Sequence, residues 1–198
     1  MKWTSKLTVL KKLIFFVLLG LIVGSVSGYS MSSMEETAGH SIMNAFVNLK
    51  ATGSFFELMY YSFLPLFLVL VFSFFNGFSI LTAFLGWLCA FCTGSAVGFV
   101  TTMLFKLYSG GLSYSLVIYL PFSVLYSVVI LLTLRESDKL SKTCYNIVFS
   151  EYPAENKERL FKEYLVKLLV LFCIGLLISA LDAAINCIFF DFFKVCIE

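Results

Sequence analysis

The sequence predicts an all-α polytopic membrane protein, a bundle of five transmembrane helices with one amphipathic external segment, and three observations carry that reading. Of the 198 residues, 60% are apolar and only 13% charged, against about 45–50% and about 25% in a soluble domain. The charged residues leave windows 13–34, 58–105 and 107–134 untouched, and about 20 residues of apolar helix cross a hydrocarbon core. Of the 14 Lys and Arg residues, 11 fall in two segments, one before the first window and one after the last. The net charge of +2 and the lack of basic residues interleaved with aromatics make nucleic acid an unexpected partner. No dinucleotide-binding or P-loop glycine pattern is present.

The first span is expected at residues 13–31. Its rival is a cleaved signal peptide, since lysines precede the apolar core and Ser25 and Ser27 follow it. Those serines flank a valine rather than forming an A-x-A site, and Gly20, Gly24 and Gly28 recur every four residues as in a retained packing helix. The second and third spans, 58–75 and 78–105, divide one apolar run at Asn76 and Gly77, so a tight hairpin is expected there. Residues 112–134 make the fourth span and 168–190 the fifth, interrupted only by Asp182. Between the first two spans, segment 32–57 carries Ile42, Phe46, Leu49 and Gly53 on roughly one helical face, which reads as a helix lying at the interface. Between Arg135 and Glu163 the loop 135–167 balances six basic against six acidic residues, so it is not a polybasic lipid-binding patch. Pro153 suits a helix start, and Glu155 with Arg159 and Glu158 with Lys162 are favourable i,i+4 pairs, so a soluble helix is expected to run from there into the fifth span. Its charges read as a solvated face in preference to a docking surface.

Cytoplasmic segments carry the Lys and Arg excess. That rule places the N-terminus and loop 135–167 in the cytoplasm, and segment 32–57 and the C-terminal tail outside.

Within the spans, two stripes of small residues stand out: Gly20, Gly24 and Gly28 in the first, and Gly86, Ala90, Gly94 and Gly98 in the third. Small residues every four positions let helix backbones approach where no hydrophobic force drives association. Pro65 and Pro121 fall inside spans, where they free carbonyls and are expected to kink the helices. Asp182 shares a face with Ser179 at i−3 and Asn186 at i+4, a face that must point into the bundle. An intramembrane acid is a functional candidate by default, but no other span offers a Lys, Arg or His to complete a relay. Structural hydrogen bonding is therefore expected ahead of ion coupling.

Four of the six cysteines fall in spans, where burial as small apolar residues explains them. The Cys89-x-x-Cys92 spacing lacks a second ligand pair, and a disulfide between Cys187 and Cys196 is open but not indicated. His40, the lone histidine, sits in a solvated loop beside Glu35 and Glu36, too few ligands for a metal. No nucleophile, base and orienting acid come together, so neither catalysis nor a cofactor is expected.

The chain resembles the stage II sporulation protein M family. The resemblance rests on Ser62-Phe63, on Gly94-x-x-x-Gly98-Phe99 and on Leu120-Pro121 about twenty residues later. A second segment, 176–185 with Ala180-Leu181-Asp182-Ala183, is similar to the family's closing small-residue helix and its acidic position. Many relatives continue the Leu-Pro with a His-Gly pair and a Glu, where this chain has Phe122, Ser123, Val124, Leu125 and Tyr126. What the resemblance implies is a non-enzymatic scaffold in the mother-cell membrane of a sporulating bacterium. Such a protein holds two peptidoglycan-degrading partners, the stage II sporulation proteins D and P, at the septum during engulfment. The alternative from another class is a solute or ion transporter using Asp182.

Overall fold

The computed structural model describes residues 3–32, 38–79, 82–149, 157–190 and 196–197. The helices are α1 (Trp3–Ser32), α2 (Ala38–Thr52), α3 (Phe55–Asn76), α4 (Thr82–Leu107), the short α5 (Gly111–Tyr114), α6 (Leu120–Phe149) and α7 (Lys157–Phe189). Between α5 and α6 the same rod widens into a π turn over Ser115–Tyr119. This looser turn sits just before Pro121, whose missing N–H and bulky ring an unbroken α-helix could not accommodate. A two-residue antiparallel pairing joins β1 (Tyr108–Ser109) to β2 (Cys196–Ile197).

Five stretches are long and apolar enough to cross a membrane: Val9–Ser32, Phe55–Asn76, Phe84–Leu107, Gly111–Tyr145 and Phe161–Phe189. The protein is an all-α polytopic bundle. Its outward faces carry Phe15, Ile22, Leu68, Phe84, Val124 and Leu169, all exposed, as expected where the solvent is lipid.

Small residues decide which helices pair. A methyl group on Gly24 would lie 2.0 Å from the Ser95 carbonyl oxygen, and one on Gly98 would lie 2.3 Å from that of Leu21. Gly20 meets Phe91, Gly28 meets Phe99, and Gly94 meets Val17, so the two stripes face each other and α1 lies along α4 for most of its length. Gly86 departs from the expected stripe. A Cβ there would meet nothing within 4 Å, because the stripe runs past the region of close approach. The expected α3–α4 hairpin is corrected likewise. The chain does turn at Gly77, but α3 packs on α7 and touches α4 little. The reason is shape: α3 is studded with Phe and Leu and finds its small partner on α7, where Gly175 receives Leu66.

The loop expected at 135–167 is mostly helix. α6 continues to Phe149, and the described part of α7 begins at Lys157; the expected start near Pro153 lies outside the described residues. These extensions clasp the turn after α3. Ser137 Oγ donates to the Ser73 carbonyl at 2.8 Å, and the Tyr164 hydroxyl donates to the same carbonyl at 3.0 Å. Ser141 Oγ donates to the Ser79 carbonyl at 2.5 Å, and Thr82 Oγ1 donates back to the carbonyls of Asn76 and Ser79. Glu136 pairs with Lys139 and, at 3.3 Å, with Lys167. Arg159 pairs with Glu163 at 3.2 Å; the expected partner Glu155 lies outside the described residues.

Candidate functional site

The opposite end of the bundle holds a polar cluster built on an ion pair buried on both sides, and α2 is the element that makes it. Segment 32–57 holds the helix α2, but its buried face is Met43, Val47 and Lys50, shifted by one residue, about 100° around the helix, from the expected Ile42, Phe46, Leu49 and Gly53. Ile42 is exposed, while Met43 and Val47 pack against Met103, Leu104, Tyr108, Tyr114 and Phe190. His40 belongs to this helix and not to a loop, whereas Glu35 and Glu36 lie outside the described residues. Tyr108 fastens the same helix: its hydroxyl donates to Asn44 Oδ1 at 2.5 Å, and burial pushes its phenol above the ordinary value.

Local chemistry sets the direction in which α2 enters α3. Ser54 and Glu57 form a reciprocal capping box, with Ser54 N donating to Glu57 Oε2 at 2.8 Å and Glu57 N to Ser54 Oγ. The Gly53 N–H closes α2 on the Leu49 carbonyl at 2.8 Å. The chain thus passes from α2 to α3 within two residues, and Lys50, near the end of α2, is buried in the bundle.

There Lys50 Nζ lies 3.0 Å from Asp182 Oδ2, with both side chains only 8% exposed. Asp182 sits about two turns before the end of α7. Ser62 Oγ of α3 donates to the same oxygen at 2.6 Å. Asn186 Nδ2 donates to Asp182 Oδ1 at 2.8 Å, and the Tyr114 hydroxyl donates to Asn186 Oδ1 at 2.7 Å. Ser179 Oγ, one turn below, donates to the Met59 carbonyl of α3 at 2.7 Å. The three polar residues singled out on α7, Ser179, Asp182 and Asn186, therefore do share the inward face, with Ser179 and Asn186 fully buried.

Asp182 nevertheless has a cationic counterpart, although no other span supplies one. The cation comes from α2, a helix that does not span, so a search among spans could not find it. A signal was present: Lys50 is the single Lys or Arg between Lys12 and Lys106, and Asp182 is the single acid of its span. The Ser54-x-x-Glu57 box was likewise legible.

A cavity of about 420 Å³ adjoins the pair, walled by α2, α3, α4, α6 and Asp182. Pro65 lines it from α3, and Leu66, Val69, Val97, Phe122 and Ile130 make it largely apolar. Phe46 lies in the same wall, its ring 5.8 Å from Lys50 Nζ.

The cysteines do not fit the expected burial: Cys92, Cys173 and Cys187 are exposed on outward faces, and Cys89 is half-buried. No group of three or more His, Cys, Asp and Glu side chains comes together among the described residues. Compared with protein-family models, with curated proteins and with solved structures, the chain matches none of them.

Proposed function

We propose that the protein is a non-enzymatic membrane scaffold of the stage II sporulation protein M type, which anchors membrane-bound peptidoglycan hydrolases for septal wall thinning and engulfment. The observation that carries this reading is the Lys50–Asp182 pair. It fastens a non-spanning helix to the spans, and bonds from Ser62 and Asn186 hold the carboxylate in place. The end so fastened is a firm platform, the property a tether for other proteins requires. The Lys and Arg tally supports an outward-facing α2, with the α6–α7 extensions in the cytoplasm. That orientation puts the platform on the side where the cell wall lies, and the cell membrane is the location proposed.

Purification in mild detergent from sporulating cells should bring down hydrolases of the stage II sporulation D and P type, and deletion should stall engulfment with the septal wall intact. Normal engulfment on deletion, with no hydrolase recovered, would overturn the proposal.

One observation favours a second reading, transport: the cavity beside the charged pair. Solute or ion flux in liposomes that is lost in Asp182→Asn protein shown to be folded would support transport, and the absence of flux would leave the scaffold.

A further inference from the structure

The cavity has a feature that the scaffold reading does not use. α3 and α4 hardly touch along their lengths, and the cavity takes residues from both. Two of its lining residues, Tyr61 on α3 and Ala96 on α4, are exposed, so the space is not sealed between these helices. Both helices are membrane-spanning, so the space is reached sideways from the bilayer.

Its chemistry is graded. Hydrocarbon and aromatic walls fill most of the lining, while Lys50, Ser62 and Asp182 gather where α2, α3 and α7 meet. Lys50 has three N–H groups. One meets Asp182 at 3.0 Å and one reaches Ser62 Oγ at 3.5 Å, leaving the third without a hydrogen-bond acceptor among the described residues. Away from water an unmet donor is costly, so an occupant with an oxygen acceptor at this end is favoured. The pair is neutral overall, so an anionic head would leave one uncompensated charge, whereas a carbonyl leaves none.

Size narrows the choice further. A volume of about 420 Å³ lies in the range of small-ligand pockets, and a transmembrane helix about 10 Å across would not enter. We infer that the cavity binds one acyl chain of a bilayer phospholipid, entering between α3 and α4, with an ester carbonyl accepting from Lys50. This inference is independent of the hydrolase-anchoring role.

The test uses the full chain reconstituted in phosphatidylethanolamine and phosphatidylglycerol vesicles, with a phosphatidylglycerol probe carrying a diazirine in its acyl chain. Cross-links mapped by mass spectrometry should favour Val97 and Tyr126 over the outward Ile22 and Leu169 by at least about fivefold. Ala96→Phe, which plugs the entrance, should lower cavity labelling at least about fivefold while leaving Ile22 labelling and the thermal midpoint in detergent unchanged. If Ala96→Phe does not fold, Thr93→Leu replaces it. Lys50→Met/Asp182→Leu, which removes the donor without stranding a charge, should lower cavity labelling at least about threefold. Even labelling of cavity and outer surface, or cavity labelling indifferent to the plug, overturns the site. Labelling that survives the double replacement overturns the carbonyl contact, and preferential labelling by a free fatty-acid diazirine probe overturns the phospholipid as its source.

Discussion

At the scale of single residues, Lys50 and Asp182 are interdependent, because each is the other's sole charge partner among the described residues. Removing one partner of a buried pair costs about 3–5 kcal/mol, largely from the charge left behind, whereas replacing both with apolar groups is often neutral. Lys50→Met alone should therefore lower thermal resistance in detergent steeply, and Lys50→Met/Asp182→Leu should recover most of the loss. Asp182→Asn keeps the shape and the Asn186 contact but leaves the ammonium unpaired, so it should resemble Lys50→Met more than wild type. If the two single losses add in the double variant, the pair is not coupled. The glycines make a sharper contrast. Gly24→Ala drives a methyl against the Ser95 backbone and should weaken the α1–α4 contact, whereas Gly86→Ala enters open space and should be neutral or gain about 0.5–1 kcal/mol from lower chain entropy. Thermal unfolding of both variants in one detergent checks this.

At the scale of elements, the α6 and α7 extensions depend on hydrogen bonds to one turn. Ser137 and Tyr164 both donate to the Ser73 carbonyl, so Ser137→Ala and Tyr164→Phe should each cost about 0.5–1.5 kcal/mol. Hydrogen exchange at residues 73–79 should rise in both variants, and unchanged exchange would show that the clasp does not hold the turn. The spans themselves were legible in the sequence, because helix length and the absence of charge are local properties that a bilayer enforces directly. Helix pairing was legible only where small residues marked it: Gly24 and Gly98 announced their partners, while Gly86 carried the same spacing into empty space. The face of α2 was not legible from its hydrophobic pattern. Its orientation is set by Lys50 reaching a carboxylate far along the chain, which outweighs the exposure of Ile42.

At the scale of the whole molecule, the two ends of the bundle differ in kind. One is closed by α2 and its buried pair, and the other extends past the spans as charged helix. The orientation proposed from the Lys and Arg tally predicts opposite access for two thiols. In intact cells, with single-cysteine variants, a membrane-impermeant maleimide should label Cys196 and spare Cys144 until the membrane is opened. The reverse pattern would invert the molecule and put α2 on the cytoplasmic side, away from any wall-degrading partner.

The distance along the chain between Lys50 and Asp182, 132 residues, also dictates an order of biogenesis. Synthesis proceeds at about 5–20 residues per second, so roughly 7–26 s separate the emergence of the two charges. Through that interval α2 has no counter-ion and must wait in the interface or in contact with the insertion machinery, and only entry of the last helix lets it dock. Maturation is therefore all or nothing: a chain interrupted anywhere before Asp182 keeps an undocked helix with a bare ammonium, a mark by which membrane proteases could tell unfinished copies from finished ones.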